Sequence, residues 1–251
     1  MWLLLACSPK VPPAATGEGW SLRHLAVGEG LSGLTVDGQG ELWSVSERPA
    51  ALVRLRDGHK VPLDLPAEPE SVEWTAEGFW LGTERDEERV EDQVFRVSAT
   101  GELLQTLTYR YEELSPKPNH GLEGLCVHGA QLLVAGEDTR GDTVRDAPVA
   151  ALPQGDTRWM RLRSETGKVS ALACTETHLY AIERHYEVLH LLRAPYEDLM
   201  ATEVIEVPEQ ARGPKVNYEG LAVRDGQALL ISDNQGATVE GPTLLLTLTL
   251  P

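Results

Sequence analysis

Acidic side chains recur in this sequence beside short apolar runs. Pairs follow five such runs: Glu47-Arg48, Glu84-Arg85, Glu137-Asp138, Glu183-Arg184 and Asp233-Asn234. A second set, Glu70, Glu73, Glu123 and Glu219, stands at the start of runs, with Asn119-His120 ahead of Glu123 and His185 behind Arg184. Carboxylates are hard oxygen ligands suited to Ca²⁺ or Mg²⁺, so Glu47, Glu73, Glu84, Glu137, Asp138, Glu183 and Asp233 are candidate metal ligands. Guanidinium groups grip anionic oxygens bidentately, which makes Arg48, Arg85 and Arg184, with Asn234, candidate substrate-binding residues. Glu123, Glu219 and His120 are the candidate general acids or bases. A serine nucleophile is disfavoured, because Gly-x-Ser-x-Gly is absent and Gly30-Leu31-Ser32-Gly33 fails its spacing. Any one of these carboxylates alone is better explained as a solvated strand end. The set gains meaning from its repetition.

Repetition also supplies the elements that must position these groups. Five segments share one template, aligned on Leu34, Val72, Leu125, Leu172 and Leu221 at steps of 38, 53, 47 and 49 residues. A propeller blade occupies roughly 40–50 residues. After each shared hairpin comes a third apolar run: Leu52–Leu55, Val94–Val97, Val149–Leu152, Val188–Leu192 and Leu244–Leu250. Four units continue into a fourth, Val61–Leu65, Leu103–Tyr109, Trp159–Leu162 and Val204–Val207. The fifth unit lacks one, while Ser21–Val27 stands alone before the first unit. If that segment completes the last blade, the ring closes and few strand edges stay open. The reading is an all-β, five-bladed propeller over residues 20–251, with six blades open if Thr139–Ala147 hides weak strands. In an antiparallel hairpin the start of the first strand and the end of the second share one end. All five charged clusters are therefore expected on one face, around the central channel.

The composition limits the partners. With 39 acidic against 22 basic residues among 251, the formal net charge is -17 and the pI about 4.8. That balance argues against nucleic acid as a ligand, and no apolar run approaches the roughly 20 residues of a membrane span. Met1–Cys7 ends in Leu-Leu-Ala-Cys, which resembles a bacterial lipobox with Cys7 as the lipidation site, although it lacks a basic start and is short. Residues 8–19 then read as a flexible tether. Cys126 and Cys174 either pair in an oxidising envelope or stay buried and free, the latter favoured on composition.

Three stretches carry a family resemblance: Leu122-Glu123-Gly124-Leu125, Val169–His185, and Asn217–Gln235 with its Asn-Tyr-Glu-Gly-Leu to Ser-Asp-Asn pair. Ser32-Gly33-Leu34 leading to Val45-Ser46-Glu47-Arg48 adds a fourth. Together they resemble the phytase-like family described by "esterase-like activity of phytase". The resemblance implies an exported bacterial β-propeller with an ester- or phosphoester-hydrolysing role, and brings no assigned catalytic set. Two functions follow as expectations. One is a Ca²⁺-dependent hydrolase of a small ester or phosphoester at the acidic face. The other is a non-catalytic envelope module, binding a ligand or an envelope protein, whose Glu/Arg rim is structural. In both cases the chain is expected to be monomeric and to meet a membrane only through a lipid at Cys7.

Overall fold

The computed structural model describes residues 12–28, 30–85, 91–111, 113–114, 117, 120–153, 156–185, 188–212, 216–234 and 242–251. Cys7, Asn119 and Gln235 lie outside the described residues. Five antiparallel sheets stand in a ring as the blades of a propeller. Blade 1 is β3 (Leu31–Val36), β4 (Leu42–Ser46), β5 (Ala51–Arg54) and β6 (His59–Pro62). Blade 2 is β7 (Pro69–Thr75), β8 (Gly78–Thr83), β9 (Asp92–Val97) and β10 (Leu103–Tyr109). Blade 3 is β11 (Leu122–His128), β12 (Gln131–Gly136), β13 (Asp146–Leu152) and β14 (Asp156–Arg161). Blade 4 is β15 (Lys168–Cys174), β16 (His178–His185), β17 (Val188–Pro195) and β18 (Glu203–Ile205). Blade 5 is β19 (Asn217–Arg224), β20 (Gln227–Asp233) and β21 (Thr243–Thr249), completed from the other end of the chain by β2 (Trp20–Leu25) and β1 (Ala15–Gly17).

Closure follows the expected route. Strand β2 pairs with β21 from Trp20↔Leu248 to Leu25↔Thr243, so the two ends of the chain share one sheet. Strand β1 falls in the segment expected to be a tether. Gly19 turns the chain with a φ of +72° and folds Ala15–Gly17 back onto β2. Thr139–Arg145 join β12 to β13 and form no sixth blade among the described residues.

The innermost strands β3, β7, β11, β15 and β19 each pack on the next, around the axis. Outside them lie five apolar clusters, one at each junction between neighbouring blades. Leu52, Val72, Leu81 and Phe95 fill the junction of blades 1 and 2, for example, and Ile182, Leu191, Tyr218 and Leu230 that of blades 4 and 5. Period-2 alternation sends these side chains to the blade faces. No blade buries its faces alone, so the ring is the stable unit.

A disulfide joins Cys126 on β11 to Cys174 on β15, tying blade 3 to blade 4. The composition favoured free thiols; the ring brings the two inner strands side by side, with the Cα atoms 5.5 Å apart. Closing a loop of 48 residues contributes about 4 kcal/mol in the chain-entropy account. Thiol labelling of the unfolded, unreduced protein is expected to miss both cysteines, and reduction to lower the unfolding midpoint. Two accessible thiols before reduction would contradict the bridge.

Candidate functional site at the channel mouth

One irregularity recurs in the first hairpin of every blade. In blades 2 to 5 the pairing skips one residue of the inner strand: Glu70, Glu123, Ser170 and Glu219. In blade 1 the shift follows Ser32 and spans Gly33-Leu34. A bulge adds an unpaired residue and re-aims its side chain. Here Glu70, Glu123 and Glu219, from three different blades, feel one another's charge, which places them around a common axis.

The next residue in each strand is Gly33, Ser71, Gly124, Ala171 or Gly220. Small residues are needed because neighbouring backbones touch here. A Cβ on Gly124 would lie 2.6 Å from the amide nitrogen of Leu172, and one on Gly220 2.6 Å from the Gly33 carbonyl. The Glu-Gly-Leu motif thus has three separate duties: a channel carboxylate, a tight waist and a core side chain. Ser71 and Ser170 tighten the same waist by donating to the carbonyls of Leu122 and Tyr218 on the next blade, at 2.8 and 2.9 Å.

Above the waist the second strands end in Glu47, Glu84, Glu137, Arg184 and Asp233, one per blade. Blade 4 departs from the expected alignment by one residue. Val169 faces Glu183, whereas the matching pairs elsewhere end in Ser46, Thr83, Gly136 and Ser232. A shift of one flips every side chain to the other face, so Arg184 takes the channel position. Glu183 turns away and is fully buried, accepting from the amides of Arg163 and Ser164, each at 2.9 Å, and contacting His190 Nδ1 at 2.9 Å. It is a loop anchor rather than a metal ligand of the mouth. Glu73 also lies elsewhere, beyond the waist in the opposite half of the channel, with Thr35 and Arg224.

Among the described residues, ion pairs bridge four of the five blade junctions at the mouth. Arg48 holds Glu68 through two hydrogen bonds of 2.7 and 2.6 Å between blades 1 and 2. Between blades 2 and 3, Arg85 pairs with Asp138 at 2.8 Å and donates to the His120 carbonyl at 2.9 Å. Lys168 pairs with Glu137 between blades 4 and 3. Arg184 meets Glu219 at 2.9 Å between blades 4 and 5. Asp138 also pairs with Lys117 at 3.0 Å and contacts His120 Nδ1 at 2.9 Å, and the same imidazole lies 3.2 Å from Glu137. Arg85 is only 6% exposed and also faces the buried Asp92 at 3.5 Å, so it is committed to the fold and not open to a ligand. Arg48 is exposed but spent on Glu68.

The junction of blades 5 and 1 is different. Oxygens of Glu47, Glu219 and Asp233 lie within 4.8 Å of one another here; those of Glu47, Glu68 and Glu70 do so on the other side of Glu47, across the junction of blades 1 and 2, where Arg48 already holds Glu68. Glu47 accepts the Ser32 hydroxyl at 2.8 Å and has no ion pair among the described residues. Burial, then repulsion from Glu123, Glu47 and Glu219, holds Glu70 well above the usual carboxylate range. Glu123 is raised in the same way by burial, then by Glu137 and Glu219, against Arg184. Burial pushes Glu219 up to about 7, despite Arg184 and the Asn217 amide that donates to it at 2.5 Å. Glu47 and Glu84 are raised as well, burial first in both, with the Ser32 hydroxyl opposing it at Glu47.

A profile of the family described as "Phytase-like: Esterase-like activity of phytase" matches residues 26–236. The chain belongs to the phytase-like family. A search of curated protein sequences finds no match. Among solved structures, this phytase-like propeller resembles glutaminyl cyclase from Myxococcus xanthus at 15% identity and a TM-score of 0.59, covering 90% of this chain and 93% of that one. The PQQ-bound aldose sugar dehydrogenase of Streptomyces coelicolor matches at 14% identity and 0.51, covering 94% and 99%. A nidogen/laminin complex chain matches at 10% identity and 0.54, covering 89% and 87%. At these identities the likeness concerns the fold alone.

Sequence reasoning missed Ser32, Glu68 and Lys168 at the mouth. Glu68 and Lys168 share one repeat position with Asn217, two residues before the bulge, and that shared position was the available signal.

Proposed function

We propose that this phytase-like propeller is an exported hydrolase of small phosphoesters or esters that uses a divalent cation at the channel mouth. The carrying observation is the convergence of Glu47, Glu219 and Asp233 at the junction of blades 5 and 1, with Glu47 in no ion pair among the described residues. Ca²⁺ binds oxygens at roughly 2.3–2.6 Å, so opposite ligands stand up to about 5 Å apart. Groups spanning 4.8 Å fit that ion. Glu47, Glu219 and Asp233 would hold it, and when bound it would supply Lewis-acid polarisation of a substrate oxygen. The Cys126–Cys174 disulfide and the Leu-Leu-Ala-Cys7 sequence support an oxidising, envelope location.

The remaining roles fall to groups around the ion site. Glu123, which burial and then Glu137 hold well above the usual carboxylate range, is suited to donate a proton to a leaving oxygen. His120, oriented by Asp138, can take a proton from water. Arg184 and Lys168, on the blade 4 side, can steady the anionic oxygens of a phosphoester. Turnover of p-nitrophenyl phosphate, p-nitrophenyl acetate or phytate is expected with Ca²⁺ and not with EDTA. Glu123→Gln should lower kcat by about 100-fold or more while leaving Ca²⁺ binding in place. Activity unchanged by EDTA, or no turnover of any of the three, would overturn the reading.

A second reading has its own support. Ion pairs across four junctions suit a structural ladder in a propeller that only binds a ligand or a protein. The ladder alone gives no role to the convergence of Glu47 with Glu219 and Asp233, which is why the cation-dependent reading is preferred.

A further inference from the structure

Below the waist the channel opens again into a pocket of about 200 Å³ at the opposite end of the ring. The waist, lined by Gly33, Ser71, Gly124 and Ala171 among others, has no room for a water-sized sphere. The two ends of the channel are therefore separate spaces. In this half the five inner strands present Thr35, Glu73, Cys126, Ala173 and Ala222 at equivalent positions. Thr35, Glu73, Ala173 and Ala222 line the pocket. Asp37, the second acid in the lining, accepts from the Trp43 indole, and the small alanines leave space in front of the carboxyl group of Glu73.

That carboxyl group has no cation beside it. Glu73 accepts the Thr35 hydroxyl at 3.0 Å and the amide of Val127, and forms no ion pair among the described residues. A carboxylate offers about four acceptor positions, and these donors occupy two. Both donors are uncharged, so neither serves as a counter-ion. Burial lifts Glu73 to about 7, a destabilising arrangement that a bound cation would relieve. At the lip stands Arg224, about half exposed, its Nε on Asp225 at 3.2 Å and its charge within reach of a ligand's anionic group.

We propose that this pocket binds a small molecule carrying a primary amine, with Glu73 as its counter-ion and Arg224 beside a carboxylate at its other end. The volume suits a short ω-amino acid, since a cavity of about 150 Å³ accepts benzene. The proposal is independent of the hydrolase reading, because the waist separates the two ends and Glu73 takes no part at the mouth.

The test is calorimetric titration of the whole chain at pH 8 with γ-aminobutyrate, n-butylamine, butyrate and 1-butanol, in excess Ca²⁺ so that the acidic mouth is occupied. The two amines are expected to bind at least about tenfold more tightly than butanol and butyrate, with γ-aminobutyrate the tighter of the two. Glu73→Gln should weaken them about tenfold or more, and Ala222→Leu, which fills the space without touching the charge, should remove binding. Should Glu73→Gln fail to fold, Ala222→Leu carries the test. Amines no tighter than butanol, or binding that survives Ala222→Leu unchanged, would overturn the proposal.

Discussion

Glu47→Gln is expected to weaken Ca²⁺ binding by about 100-fold, a loss of roughly 2.7 kcal/mol, because Glu47 belongs to both carboxylate groups at the mouth. Glu84 lies outside those groups, and Glu84→Gln should change the affinity no more than about threefold, as befits a partly screened neighbouring charge. The substitution at Glu47 also has a signature without metal. In EDTA at pH 8, Glu47 is repelled by Glu219, Glu68 and Glu84 and disfavoured by burial. Removing its charge should raise the melting temperature. A glutamate serving only in a structural ladder behaves oppositely, since its loss strands a cationic partner. Calorimetric Ca²⁺ titration and thermal melts of the same variant therefore read two independent quantities. Unchanged affinity, or a lower melting temperature in EDTA, would count against the metal role.

The second large effect is a pH dependence with an unusual sign. Glu219 has its pKa raised in the folded chain from 4.5 to about 7. A raised carboxyl favours folding fully below its unfolded pKa, and this contribution fades as pH climbs to the folded value. At about 1.4 kcal/mol per pKa unit, Glu219 alone makes the metal-free fold about 3 kcal/mol less stable at pH 8 than at pH 4.5. Glu70, Glu123 and Glu73 act in the same direction. His185 opposes them weakly, since burial, Lys168, Arg145 and Arg184 lower its pKa and stability is lost as pH falls. For a domain of this size about 3 kcal/mol corresponds to roughly 6–12 °C. In EDTA the melting temperature should thus fall between pH 5 and pH 8. Ca²⁺ at about 100 times its Kd should restore roughly 2.7 kcal/mol at pH 8 and little at pH 5, where protons occupy the carboxylates. A flat profile, or equal Ca²⁺ stabilisation at both values, would refute the account.

How much of this was legible in the residues depends on what each inference needed. Blade count and ring closure needed only the spacing of apolar runs, which five repeats and the stray strand at Trp20–Leu25 supply. Placing Glu123 and Glu219 at the channel needed only hairpin polarity. Positions across the bulge needed more. An unpaired residue resets the period-2 count, so Glu70 and Glu73, three apart on β7, reach opposite halves of the channel. The exchange of Glu183 for Arg184 rests on one residue of register in β16, which Glu-Arg side by side cannot reveal. The commitment of Arg85 depends on a contact across a junction with Asp138, 53 residues away, and on Asp92 of its own blade. Repeats make such partners equivalent in sequence and leave their pairing to the packed ring.

The central claim, a divalent cation at the junction of blades 5 and 1, is tested most directly by anomalous diffraction from crystals grown above pH 7 with Mn²⁺ in place of Ca²⁺. The expected result is a peak bonded to Glu47 and flanked by Glu219 and Asp233. A mouth without anomalous density at saturating Mn²⁺, or a peak only at other carboxylates, would contradict it.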